Sequence, residues 1–174
     1  MVPDVRIGVV VNPIAGMGGR VGLKGTDGKL AEARARGAER RAPDRASEAL
    51  NGLQARAPET TVVTYGDPMG EREAREAGFD PEVVGAPDQA ETTAADTRSA
   101  VAAFLDVGVD LVLFVGGDGT AVDVAEALTT ADADTPILGV PAGVKVYSAV
   151  FAVSPDAAGR IAATFESTAG AEVI

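Results

Sequence analysis

One carboxylate stands inside a run of small residues, Gly116-Gly117-Asp118-Gly119-Thr120. Glycines leave backbone N–H groups unobstructed, and such groups at the start of a helix suit a phosphate. Asp118 could accept the proton of an attacking hydroxyl, hold Mg²⁺, or do both through water. It could also do no more than cap the helix that follows, as Asp often does. No strong nucleophile accompanies it. That combination suits phosphoryl transfer, where positioning and electrostatics carry the rate.

Composition narrows the chemistry. Cys and His are both absent from the 174 residues. That removes thiolate nucleophiles, disulfides, Cys/His zinc sites and every His-dependent triad. The formal net charge is −11, which repels nucleic acid and anionic membranes, so neither is expected as a partner. No apolar run approaches the length that spans a bilayer, and no signal peptide precedes the first strand. The expectation is a soluble, cytoplasmic protein. The only lysines are Lys24, Lys29 and Lys145, while Ala, Asp and Glu are frequent. This balance resembles salt-adapted (halophilic) proteins, where dense salt screens self-repulsion; the plainer reading is an acidic protein of a GC-rich genome.

The Asp118 turn must be positioned by its neighbours. Leu111 to Val115 is an uninterrupted apolar run, the pattern of a strand covered on both faces. Ala121, Val124, Ala125 and Leu128 then recur at helical spacing. Val5 to Val11 is a second buried strand, stopped by Asn12-Pro13. A glycine-rich loop from Ile14 to Lys29 follows, with glycines at 16, 18, 19, 22, 25 and 28. It matches neither the dinucleotide fingerprint nor the P-loop. Carrying Lys24, Thr26 and Asp27, it reads as a phosphate-facing loop. Leu30 to Arg41 is weakly helical, Pro43-Asp44 restarts the chain, and Ala46, Ala49, Leu50 and Leu53 form one helical face. Thr60 to Tyr65 is a strand, Glu71 to Ala77 a short solvated helix, and Glu82 to Val84 a short strand. Glu91-Thr92-Thr93 opens a helix through Asp106, with Val101, Phe104 and Leu105 inward and Gly108 at its end. Pro136 to Val140 is a further strand, left through Pro141-Ala142-Gly143. Val144 to Val153 holds Lys145 and reads as helix in its first part. Ser154-Pro155-Asp156 starts a last helix, with Ala158, Ile161, Ala162 and Phe165 on its face. Alternating strands and helices predict one α/β domain over residues 1–174, a mostly parallel sheet with helices on both faces. The loops after Val11, Val115 and Val140 then share one sheet edge, where open α/β sheets put their ligands.

At these residues the chain resembles a known family. Gly116-Gly117-Asp118-Gly119-Thr120 matches the GGDGT signature shared by NAD kinases with diacylglycerol and sphingosine kinases. Asn12-Pro13-Ile14-Ala15-Gly16-Met17-Gly18-Gly19, with Val21 to Gly28 behind it, is similar to the ATP-NAD kinase branch of archaea and bacteria. So is Gly139-Val140-Pro141-Ala142-Gly143-Val144-Lys145, running on to Ala152. The resemblance implies an NAD kinase-like enzyme that transfers the γ-phosphoryl group of ATP, with Mg²⁺, to the adenosine ribose 2′-hydroxyl of NAD, giving NADP. It implies Asp118 as the catalytic aspartate, while Mg²⁺ at Asp118 stays one of the roles that the carboxylate's own chemistry offers. It implies nucleotide or phosphate contacts at Gly116, Gly117, Gly119 and Thr120, at Asn12, Gly16, Gly18, Gly19 and Lys24, and at Gly143 and Lys145. Typical members carry an Ile-Asn-x-Gly run where this chain has Val140-Pro141-Ala142-Gly143. They also carry a second, all-β domain, so this chain is expected to be the N-terminal part of a longer two-domain protein. Apolar surface near Val144 to Val153 is then expected to drive homo-oligomerisation. The competing functions are a kinase of another hydroxyl substrate, lipid or small polyol, and a non-catalytic nucleotide-binding module; the acidic surface weighs against a lipid kinase.

The charge balance generates a test. If it is a salt adaptation, the melting temperature rises steeply with KCl beyond the range where ordinary screening saturates. A thermal melt series in KCl reads this directly, and a plateau at moderate salt would exclude it.

Overall fold

The computed structural model describes residues 5–14, 28–89, 91–142 and 150–165, the side chains of 28–40 excepted. Strands and helices alternate along them: β1 (Arg6–Val11), α1 (Gly28–Arg56), β2 (Thr61–Thr64), α2 (Glu71–Glu76), β3 (Glu82–Val83), α3 (Ala94–Val107), β4 (Leu111–Gly116), α4 (Asp118–Thr130), β5 (Ile137–Pro141) and α5 (Pro155–Ala163). The strands form one sheet in the order β3-β2-β1-β4-β5, and every pairing is parallel. Among the described residues no helix is long and apolar enough to cross a membrane.

Each face of the sheet carries its own helical layer. Ile7, Val9, Val11, Val62, Leu111, Leu113, Val115 and Val140 point to one side, under α1, α2 and α5. Val10, Val63, Val112 and Phe114 point to the other, under α3 and α4. This double cover is why β1 and β4 read as continuous apolar runs: both alternating sets of side chains are buried. Val101 and Phe104 of α3 are fully buried, and so is Val124 of α4. Ala125, by contrast, is exposed and Ala127 takes its place in the core. Ile161 is likewise 48% exposed; α5 turns Ala157, Ala158 and Ala162 inward instead. The larger side chain is left out because α5 lies very close to α1.

The break expected at Pro43 is absent. α1 runs through Pro43 as one helix, although a helix-interior proline costs about 3 kcal/mol through a lost hydrogen bond and a clash. Ala42, Ala46, Ala49, Leu50 and Leu53 are all fully buried, so packing on the sheet holds both sides of the proline in line. Elsewhere local signals suffice. The Thr93 N–H donates to Asp96 Oδ2 at 2.8 Å at the start of α3, the reciprocal arrangement of a capping box. Ser154 Oγ accepts from the Ala157 N–H at 3.1 Å and Pro155 occupies the first turn of α5. After β5 the chain returns to the sheet edge, where Phe151 bridges Gly139 in parallel; Val153 just beyond is 92% exposed.

The contact between α1 and α5 rests on small residues. A Cβ built at Gly159 falls 2.5 Å from the Ala49 carbonyl oxygen and 3.3 Å from Gly52 Cα. Gly159→Ala must therefore push the helices apart. It is expected to lower stability by about 1–3 kcal/mol, the cost of overpacking, despite alanine's better helix propensity. Urea unfolding of the two proteins measures the difference.

Candidate functional site

The chain lays β2 and β3 to one side of β1, then returns to lay β4 and β5 on the other. Ligands of open α/β sheets bind where the strand order reverses in this way, beyond the carboxyl ends. Here that point lies between β1 and β4. Val11 stands in register with Val115, and Val115 with Val140, so the three strands end side by side. The three segments that leave them are laced together. The Asn12 N–H donates to the Val115 carbonyl at 2.9 Å, and the Ala142 N–H to the Gly116 carbonyl at 3.2 Å. The Asn12 amide Nδ2 donates to Thr120 Oγ1 at 3.0 Å.

Sequence-selected residues thus meet at this edge: Asn12, Gly116, Gly117, Asp118, Gly119 and Thr120. Gly16, Gly18, Gly19, Lys24, Gly143 and Lys145 lie outside the described residues. Gly117 is the N-cap of α4 and Asp118 its first residue. The first-turn N–H groups of a helix lack intrahelical acceptors and carry the positive end of its dipole. A carboxylate at that position is stabilised, and an anion beside it finds donors. The glycines of the turn have different physical reasons. A Cβ at Gly116 would lie 2.6 Å from Thr120 Cβ, so packing alone demands glycine there, and Thr120, 3% exposed, fills the space. Among the described residues a Cβ at Gly119 would meet nothing within 4 Å, and its backbone is not left-handed. Neither packing nor conformation asks for glycine at 119, where it costs the helix up to about 1 kcal/mol relative to alanine. Open room over the first turn of α4 is what it supplies.

The next acid along α4 is committed elsewhere. Arg98 Nη1 of α3 donates to Asp123 Oδ1 at 3.1 Å. Burial raises the Asp123 pKa and the Arg98 guanidinium opposes that rise. Among the described residues no group of three or more acidic side chains gathers as a cation cage. Asp118 alone still fits Mg²⁺, which is commonly held by one or two carboxylates together with substrate phosphates and water.

One polar residue of this edge escapes the sequence reading. The run Glu71-Arg72-Glu73-Ala74-Arg75-Glu76 reads as solvated, yet Glu73 is 3% exposed. α2 begins beside the end of β1, where the Val11 N–H donates to the Met69 carbonyl at 2.9 Å. Arg72 Nε lies 3.6 Å from Glu73 Oε2, while Glu73 Oε1 is buried without a hydrogen-bond partner among the described residues. The available signal was Ala74 and Ala77, whose spacing marks a buried side next to Glu73.

Against known protein families, residues 7–169 match the ATP-NAD kinase N-terminal domain. No curated protein and no solved structure matches the chain.

Burial pushes the Glu73 carboxyl above its ordinary pKa, with Arg72 only partly opposing the shift. An acid whose pKa is raised on folding destabilises the folded state in its charged form. The loss is absent below the unfolded pKa and complete once pH has passed the folded pKa. Glu73→Gln does not titrate. Its melting temperature relative to wild type should therefore climb as pH rises from the acid side of the carboxylate range to neutrality, which a pH series of thermal melts would show.

Proposed function

Because the chain belongs to the NAD kinase family and is a kinase-like phosphotransferase domain, we propose that it carries the nucleotide site of an enzyme making NADP from NAD and ATP. The observation that supports this most is the Gly116–Thr120 turn. It sets one carboxylate among first-turn N–H groups, beneath open room, at the point where the strand order reverses.

In this reading the N–H groups of the first turn of α4 receive the phosphates of ATP. Gly119 lets the ligand approach the backbone closely. The ribose 2′-hydroxyl of NAD attacks the γ-phosphorus in line. A new O–P bond forms, the bond from the γ-phosphorus to the bridging oxygen breaks, and ADP leaves. Asp118 orients the hydroxyl and takes its proton. Mg²⁺ would be held by Asp118 and the phosphates, supplying positive charge to the transferring group. The nucleotides are the partners of this site. Gly16, Gly18, Gly19, Lys24, Gly143 and Lys145 are proposed to complete it from the loops that leave β1 and β5.

Asp118→Asn tests the assignment, because the amide keeps the size and much of the capping ability while losing the charge. NAD-dependent consumption of ATP should fall by about 10²- to 10⁴-fold, the scale of a general acid–base group, with little change in ATP affinity measured without metal. If Asp118 only caps α4, turnover would persist and stability would drop instead by up to about 1 kcal/mol. Running the assay with polyol and lipid acceptors beside NAD identifies the hydroxyl that is phosphorylated.

A further inference from the structure

α2 is six residues long, too short to hold as a helix without tertiary packing. Its docking stripe is Gly70, Glu73, Ala74 and Ala77, the i, i+3, i+4, i+7 spacing of one helical face. Ala74 and Ala77 join the apolar layer that also holds Ala46, Ala49 and Leu50 of α1. A Cβ at Gly70 would lie 3.2 Å from the Val9 carbonyl oxygen, so the helix starts hard against β1. Glu73 is thus a carboxyl standing where the stripe calls for an apolar residue. Its side chain is 4% exposed, and its Oε1 has no hydrogen-bond partner among the described residues.

Compensation for a buried charge there is slight. The Arg72 side chain that approaches Oε2 to 3.6 Å is itself 61% exposed, where solvent screens the pair. Asp67 and Glu76 add like charge. Arg75 turns instead to Glu71 at 3.0 Å and to Asp80 at 3.5 Å. β2 has no titratable residue from Thr61 to Thr64. On α1, Arg45 is beside Glu48 and Arg56 beside Asp156, while Arg41 and Asp44 are exposed. A neutral carboxyl costs less to bury than an ionised one lacking a partner. Docking of α2 and protonation of Glu73 therefore favour one another.

We propose that α2 is a proton-governed latch on the end of β1: it closes on neutral Glu73 and opens more often once Glu73 ionises. The fastening is the Met69 carbonyl just ahead of α2, which accepts from the Val11 N–H at 2.9 Å. Val11 is the last residue of β1, so opening frees the strand end that Asn12 continues into the site edge. Burial raises the Glu73 pKa more than its own N–H and Arg72 lower it. The docked helix thus holds the proton more tightly than the opened one. Closure is favoured at acid pH and loses ground as pH climbs from the ordinary carboxylate range through the raised value.

Amide hydrogen exchange of the full chain, followed by NMR, reads the latch. Protection is taken against an unstructured chain at the same pH, which removes the pH dependence of the chemical rate. From about pH 5 to about pH 7.5, protection at Val11, Ala74, Ala77 and Phe79 should fall together by at least about threefold. Val112, whose N–H donates to the Pro136 carbonyl within the sheet, should not change. Glu73→Gln keeps the shape without titrating and should hold protection level through the same range. Glu73→Leu, which makes the stripe apolar, should do the same. Constant protection in wild type, a fall that Val112 shares, a fall that survives in either variant, or a Val11 that stays protected while α2 exchanges would each overturn the proposal.

Discussion

The structure depends on the pairing of β1 with β4. β1 is the middle strand of the sheet and β4 lies beside it, and each is buried on both faces. Their register, Ile7 with Leu111 through Val11 with Val115, brings the end of one apolar run level with the end of the other. It does so across a long chain separation: closing a loop of about 100 residues costs about 4 kcal/mol by logarithmic scaling. Burial of the paired valines, leucines and Phe114 between two helical layers offsets that cost. Once the register is set, the Asn12 segment and the Asp118 turn have no choice but to meet.

Function at this edge follows from what the register leaves exposed. Strand carbonyls are consumed in the ladder and by Asn12 and Ala142. The first-turn N–H groups of α4 have no such partners within the helix. The edge therefore presents donors, a carboxylate, and room above Gly119. That electrostatic character is what the proposed phosphoryl transfer requires. The chain is strongly acidic, so an anionic ligand must be drawn by these local dipoles or by a cation, because the net charge opposes it.

Much of this was legible in the residues. β1, β4 and β5 announce themselves as apolar runs because nothing on either face needs to be polar. The Asp118 turn is legible because its glycines, acid and threonine sit within five consecutive positions. Other features depend on distant partners. Asn12 and Thr120 lie 108 positions apart, and no local pattern says that they bond. Pro43 carries a local stop signal that packing of Ala42, Ala46 and Leu50 overrides. Glu73 looks solvated among its charged neighbours, and only the docking of α2 beside the end of β1 buries it. Ile161 looks like core, but the close approach of α5 to α1 leaves space there for alanines only.

The strand order also has a consequence for how the chain is made. In the finished sheet β1 is central, but in a growing chain it stays an edge strand, with only β2 beside it, until β4 has been synthesised. At about 5–20 residues per second, the roughly 100 residues between them take about 5–20 s. For that time a strand that is apolar from Ile7 to Val11 offers unpaired N–H and C=O groups to any neighbouring nascent chain. Nothing on Ile7 to Val11 itself blunts that edge. Protection must come from outside the strand.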